Sequence, residues 1–221
     1  MSENSNGWLI NSFVFKHPFT CLIVGPSGCG KTKLLTSILE NKEMLVDNKI
    51  DKIIFCYKEY QPSYDLIKSL NKNVYFNQGV YEEKLDKSTR NLIIFDDLMK
   101  ETIDNSFIQD LFTIDSHHRN TSVILISHNL FPKGKHSRTI SLNSNYLILF
   151  NNPRDKTQIN VLARQIYPEN PNFLLQVFED AIENIKHGYL FLDFRQDTAK
   201  KNRIQTNIIP QNIRIIYTQK K

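Results

Sequence analysis

The residues Gly25-Pro26-Ser27-Gly28-Cys29-Gly30-Lys31-Thr32 carry the spacing G-x-x-x-x-G-K-[ST]. That spacing suits a phosphate. The glycines let backbone N–H groups close around an anion without Cβ clashes. A helix beginning at Lys31 would add the partial positive charge of its N-terminus. Lys31 would reach the β- and γ-phosphates of a nucleotide, and the Thr32 hydroxyl would ligate Mg²⁺. The cofactors expected on these grounds are ATP and Mg²⁺.

A second group suits the same chemistry. Asn91-Leu92-Ile93-Ile94-Phe95-Asp96-Asp97 is an apolar run ending in two carboxylates, the Walker B pattern. A parallel strand buried on both faces is apolar throughout, and ligands bind beyond the carboxyl ends of such strands. Asp96 would hold the metal, directly or through water, and Asp97 would polarise an attacking water. A third run, Thr121 to Ile126, ends in Ser127-His128-Asn129. Any of these three could hydrogen-bond a γ-phosphate or the attacking water and sense hydrolysis.

The elements that must hold these groups are legible in the hydrophobic pattern. Phe19 to Val24 reads as a buried strand, and Lys31 to Asn41 as a helix with Leu34, Leu35, Ile38 and Leu39 on one face. Further strands are expected at Lys52 to Tyr57, Val74 to Phe76, Tyr146 to Phe150 and Gly188 to Phe194. Helices are expected at Tyr64 to Leu70, Ser106 to Asp115, Asp155 to Ile166 and after Asn170-Pro171, with Tyr81 to Ser88 helical or loop-like. Phe131 to Arg138 reads as a basic loop and Lys200 to Arg203 as a basic turn. Strands alternating with helices predict an α/β P-loop NTPase domain with a mostly parallel central sheet flanked by helices. That domain is set at 18–210. A polar lead-in, 1–17, offers Trp8, Phe13 and Phe15 as docking side chains, and a basic tail spans 211–221.

Composition sets bounds. The chain has 221 residues and a formal net charge of +5, with pI ≈ 9.0. This mild basicity is compatible with a polyanionic partner and does not define one. Cys21, Cys29 and Cys56 lack metal-ligand spacing and read as reduced thiols. His117 and His118 have no acidic partners at ligand spacing. No apolar run has membrane-spanning length, and no signal peptide is evident, so a soluble, non-secreted protein with no membrane partner is expected.

The order of motifs, with a strand after Walker B ending in polar residues, is that of the additional-strand, RecA-like branch of P-loop ATPases. Beyond it, the chain resembles the FtsK/HerA superfamily, and within it the viral genome-packaging ATPases of the poxvirus-like and Polinton/Maverick type. The residues that carry this are the two Walker stretches, Tyr57-Lys58-Glu59-Tyr60-Gln61-Pro62 and Ser116-His117-His118-Arg119-Asn120. Ser127 to Phe131, Arg138 to Asn143 and Leu149 to Asp155 also match. The resemblance implies a motor that moves double-stranded DNA into a viral capsid, at a portal vertex, as a homo-oligomeric ring (pentamer or hexamer). It further implies a virus-encoded protein acting at the virion assembly site in the host nucleus or cytoplasm. Arg119 would be an arginine finger reaching a neighbouring subunit's site. His128 stands where the family usually has glutamine, so Ser127 and Asn129 remain candidates for the sensor. The basic stretches could line a DNA channel. A nucleotide or small-molecule kinase and a non-catalytic ATP-dependent assembly switch are the competing functions. The first would need an acceptor pocket and an arginine lid.

Overall fold

The computed structural model describes residues 13–83, 85–115, 120–183 and 185–219. Among them, nine strands form one sheet: β1 (Thr20–Val24), β2 (Lys52–Tyr57), β3 (Val74–Gln78), β4 (Asn91–Asp96), β5 (Thr121–Ser127), β6 (Tyr146–Phe150), β7 (Tyr189–Asp193), β8 (Ile204–Thr206) and β9 (Ile215–Tyr217). Their order is β3-β2-β4-β5-β1-β6-β7-β8-β9. Every pair from β3 to β6 is parallel, and β6 to β9 continue as antiparallel neighbours. The strand after Walker B therefore inserts between the Walker A and Walker B strands, as the motif order predicts.

The alternation of side chains along each strand splits the core in two. Cys21 and Ile23 of β1, Ile94 of β4, and Ile124 and Ile126 of β5 face one layer with Leu34, Leu35, Ile38 and Leu39. The latter four belong to the helix Lys31–Glu40 that follows the glycine-rich turn. Leu22 and Val24, Ile93 and Phe95, Val123 and Leu125 face the opposite layer, beside the helices Thr157–Ile166 and Pro171–Ile182. Burial on both faces explains why β1, β4, β5 and β6 are apolar almost throughout.

Several elements differ from expectation for identifiable reasons. The helix expected over Ser106 to Asp115 is α-helical only to Asp110, then π-helical over Leu111–Asp115. Asn105 caps its start, accepting from Phe107 N at 2.8 Å. Thr157–Ile166 starts two residues after Asp155 because the Asp155 carboxylate accepts from Thr157 N at 2.9 Å. The basic loop after β5 is pinned by Lys135 N donating to Asp104 Oδ1 at 2.7 Å, and it runs into a short helix, Ser137–Leu142. Phe13 and Phe15 of the lead-in are buried in the first core layer, with Phe15 edge-on to Tyr146 at 5.0 Å. Ile215–Tyr217 within the tail forms the outermost strand, β9. Trp8 and Arg119 lie outside the described residues, as do His117 and His118.

Candidate phosphate-binding and hydrolytic site

β1 ends at Val24, and Gly25 N donates to Ser127 O at 3.1 Å, so the turn stays registered to β5 as it leaves the sheet. Two of its glycines are required by backbone geometry. Gly28 and Gly30 have φ of 76° and 112°, in the left-handed region. A Cβ at Gly30 would also stand 2.8 Å from the His187 ring, which donates from Nδ1 to Cys29 O at 2.9 Å. Gly25 is enclosed instead: a Cβ there would meet Cys29 Sγ at 2.6 Å.

Lys31 is only 8% exposed. Its Nζ arches back over the turn, donating to Gly25 O at 2.6 Å and Pro26 O at 2.9 Å. Burial lowers its pKa, against the pull of Cys29, Asp96 and Asp97 that favours the charged form. Ser27, Gly28, Lys31, Thr32, Asp96, Asp97, Ile126, His128 and Gln61 line a single cavity of about 180 Å³. The Walker A turn, both Walker B carboxylates and the end of β5 are thus brought together.

Strand alternation decides which β5 residue takes part. His128 continues the row of Ile124 and Ile126, on the layer of the helix Lys31–Glu40, and its Nε2 lies 3.3 Å from Asp97 Oδ1. Ser127 continues the row of Val123 and Leu125, and its Oγ donates to Asn129 O at 2.6 Å. Asn129 does not line the cavity; its Oδ1 accepts from Gln158 Nε2 at 3.5 Å. Of the three sensor candidates, only His128 borders this cavity.

Asp96 is buried, at 5% exposure, and its Oδ2 accepts from the Tyr64 hydroxyl at 2.9 Å. Burial pushes its carboxyl above the usual carboxylate range, while Tyr64 and Lys31 pull it down. Asp97 has φ of 56° and is half exposed, so it turns out of the strand line towards His128. Among the described residues no donor reaches the second Asp96 oxygen, and Thr32 lines the same cavity. One hydroxyl and one carboxylate, all oxygen, fit Mg²⁺, which takes few protein ligands beside waters and phosphates. The three cysteines carry no sign of reactivity: burial raises the thiol pKa of Cys21 and Cys29 and pushes that of Cys56 up to about 12.

Tyr64 and Gln61 are the two site residues that periodicity did not reveal. Tyr64 is fully buried on the apolar face of the helix Ser63–Leu70. A pattern of buried positions carries no sign that its hydroxyl ends on a carboxylate.

The raised Asp96 pKa has a consequence for stability. A carboxyl whose folded pKa is raised contributes stability that is complete below the ordinary carboxylate value and is lost as pH rises through the folded value. At neutral pH the charge therefore costs stability. Asp96→Asn removes that charge and keeps an oxygen for Tyr64. Replacements of this kind commonly give about 1 kcal/mol, or roughly 2–4 °C in a domain of this size. The nucleotide-free variant should melt higher than the parent at pH 7, with the gap closing towards acid pH in a series of thermal scans.

The sheet order and the cavity define an additional-strand P-loop ATPase fold. Among solved structures, the chain is similar to the genome packaging NTPase B204 from Sulfolobus turreted icosahedral virus 2. In complex with ATP-gammaS the likeness has a TM-score of 0.55 at 14% identity, covering 85% of this chain and 96% of that one. The sulfate complex gives 0.54 at 15%, covering 86% and 95%. B204, the DNA-packaging ATPase from Sulfolobus turreted icosahedral virus, gives 0.52 at 12%, covering 93% and 100%. No family model matches the sequence, and no curated protein does.

Proposed function

We propose that the chain is an ATP-hydrolysing motor that drives double-stranded DNA into a viral capsid, working as a homo-oligomeric ring with sites at subunit interfaces. The observation that carries the hydrolytic part is the convergence of Lys31, Thr32, Asp96, Asp97 and His128 on one cavity. The likeness to B204, a genome packaging NTPase, supports the packaging part.

In this reading the turn Gly25–Thr32 cradles the phosphates and Lys31 bridges to the γ-phosphate. Thr32 and Asp96 would hold Mg²⁺, which when bound neutralises charge building on the phosphates. Asp97 orients a water and takes up its proton as the water oxygen bonds to phosphorus. The bond from phosphorus to the β-phosphate oxygen breaks in line, and ADP leaves. His128, in contact with Asp97, registers loss of the γ-phosphate. Arg119 of a neighbouring subunit supplies charge from outside. The exposed Lys133, Lys135 and Arg138, on the segment directly after β5, then move against DNA.

Steady-state hydrolysis by the purified protein, with and without linear duplex DNA, tests this. Turnover stimulated by DNA is expected. Hydrolysis indifferent to DNA would remove the motor and leave an ATPase of another kind. Phosphoryl transfer only to an acceptor other than water would point to a kinase.

A further inference from the structure

The loop leaving β2 contributes to the cavity lining a residue that belongs to neither Walker motif nor the β5 terminus. Gln61 lines the cavity together with Lys31, Thr32, Asp96, Asp97 and His128. It is half-buried. Its backbone is fixed by the first turn of the next helix: Tyr64 N donates to Gln61 O at 2.9 Å. Residues on either side are anchored. The Tyr64 hydroxyl holds Asp96, and the Tyr60 hydroxyl donates to Asp65 Oδ1 at 2.7 Å. The Tyr60 and Tyr64 rings pack edge to face at 5.5 Å, and Tyr64 packs on Phe55 at 4.8 Å. Gln61 therefore sits on a rigid corner.

Its side-chain amide makes no hydrogen bond to any described residue. Of the other lining residues, Asp97 and His128 are already in contact with each other. Asp97 accepts only, and it is engaged with His128. A carboxamide both donates and accepts. It can donate to a phosphate oxygen while accepting from the attacking water, which a carboxylate cannot do.

We infer that Gln61 is a catalytic residue of this site, its amide bridging the terminal phosphate and the attacking water. The inference rests on the ATP-hydrolysing reading and assigns its water-orienting donor to the β2 loop. Chemically, Gln61 donates from Nε2 to a γ-phosphate oxygen, and Oε1 accepts one water hydrogen. The second water proton passes to Asp97 as the oxygen–phosphorus bond forms and the bond from phosphorus to the β-phosphate oxygen breaks, releasing ADP.

Gln61→Ala removes the amide, and Gln61→Glu keeps its size and acceptor but not its donor. Both should lower kcat by roughly 10²-fold, the scale for losing one transition-state donor. In Gln61→Ala, binding of a fluorescent ATP analogue should stay within about 2-fold and melting should be unchanged, as for most substitutions outside the core, whereas the added charge of Gln61→Glu beside Asp96 and Asp97 should weaken binding. A wild-type kcat in either variant, beside a parent that hydrolyses ATP, would overturn the inference and leave the ATPase standing. So would a loss confined to KM. A parent that turns over no ATP would overturn both.

Discussion

Lys31→Ala should lower ATP turnover by roughly 10²–10³-fold, the loss seen when one donor to a developing oxyanion is removed. Among the described residues, Lys31 is the only lysine or arginine that lines the cavity, which Asp96 and Asp97 also line. Without it, bound phosphates would face two carboxylates with no lysine or arginine from the described lining opposite. The lysine is also buried, so its charge acts in a medium that screens it less than water does. Nucleotide binding should weaken too, because the amine contacts ground state and transition state alike. The check is turnover together with titration of a fluorescent ATP analogue; parental turnover in the variant would mean that ATP is hydrolysed elsewhere.

Asp97→Asn should separate binding from chemistry. Asparagine tolerates the left-handed backbone that Asp97 adopts at φ 56° better than other residues with a Cβ, so the turn should survive. It can still hold a water but cannot take its proton. Turnover should fall by roughly 10²–10⁴-fold, the range for general-base catalysis. Analogue binding should be equal or tighter, since a negative charge opposite the phosphates is gone. A variant that loses binding and turnover in proportion would instead make Asp97 a structural residue of the turn.

The parts of the site legible in the sequence are those fixed by local covalent spacing. The glycine-rich turn declares itself because Gly28 and Gly30 occupy conformations few other residues adopt. Asp96 and Asp97 declare themselves because they end a doubly buried strand in a chain that also carries the glycine-rich turn. Which residue after β5 faces the cavity followed from strand alternation only once the sheet fixed the layer on which the cavity lies, and there His128 lines it while Ser127 and Asn129 do not. Tyr64 was legible as the start of a helix and not as a partner of Asp96, because the contact joins residues 32 apart in the chain. Gln61 sits in a loop with no periodicity to mark it. The strands β8 and β9 are three residues long each and exist through pairing with β7 and with each other, a tertiary effect that local pattern does not carry.

The measurement that bears most directly on the motor is displacement of a triplex-forming oligonucleotide from linear duplex DNA by the purified protein. Displacement that requires ATP and is lost in Lys31→Ala is expected. ATP hydrolysis that proceeds on the same DNA with the oligonucleotide left in place would contradict translocation.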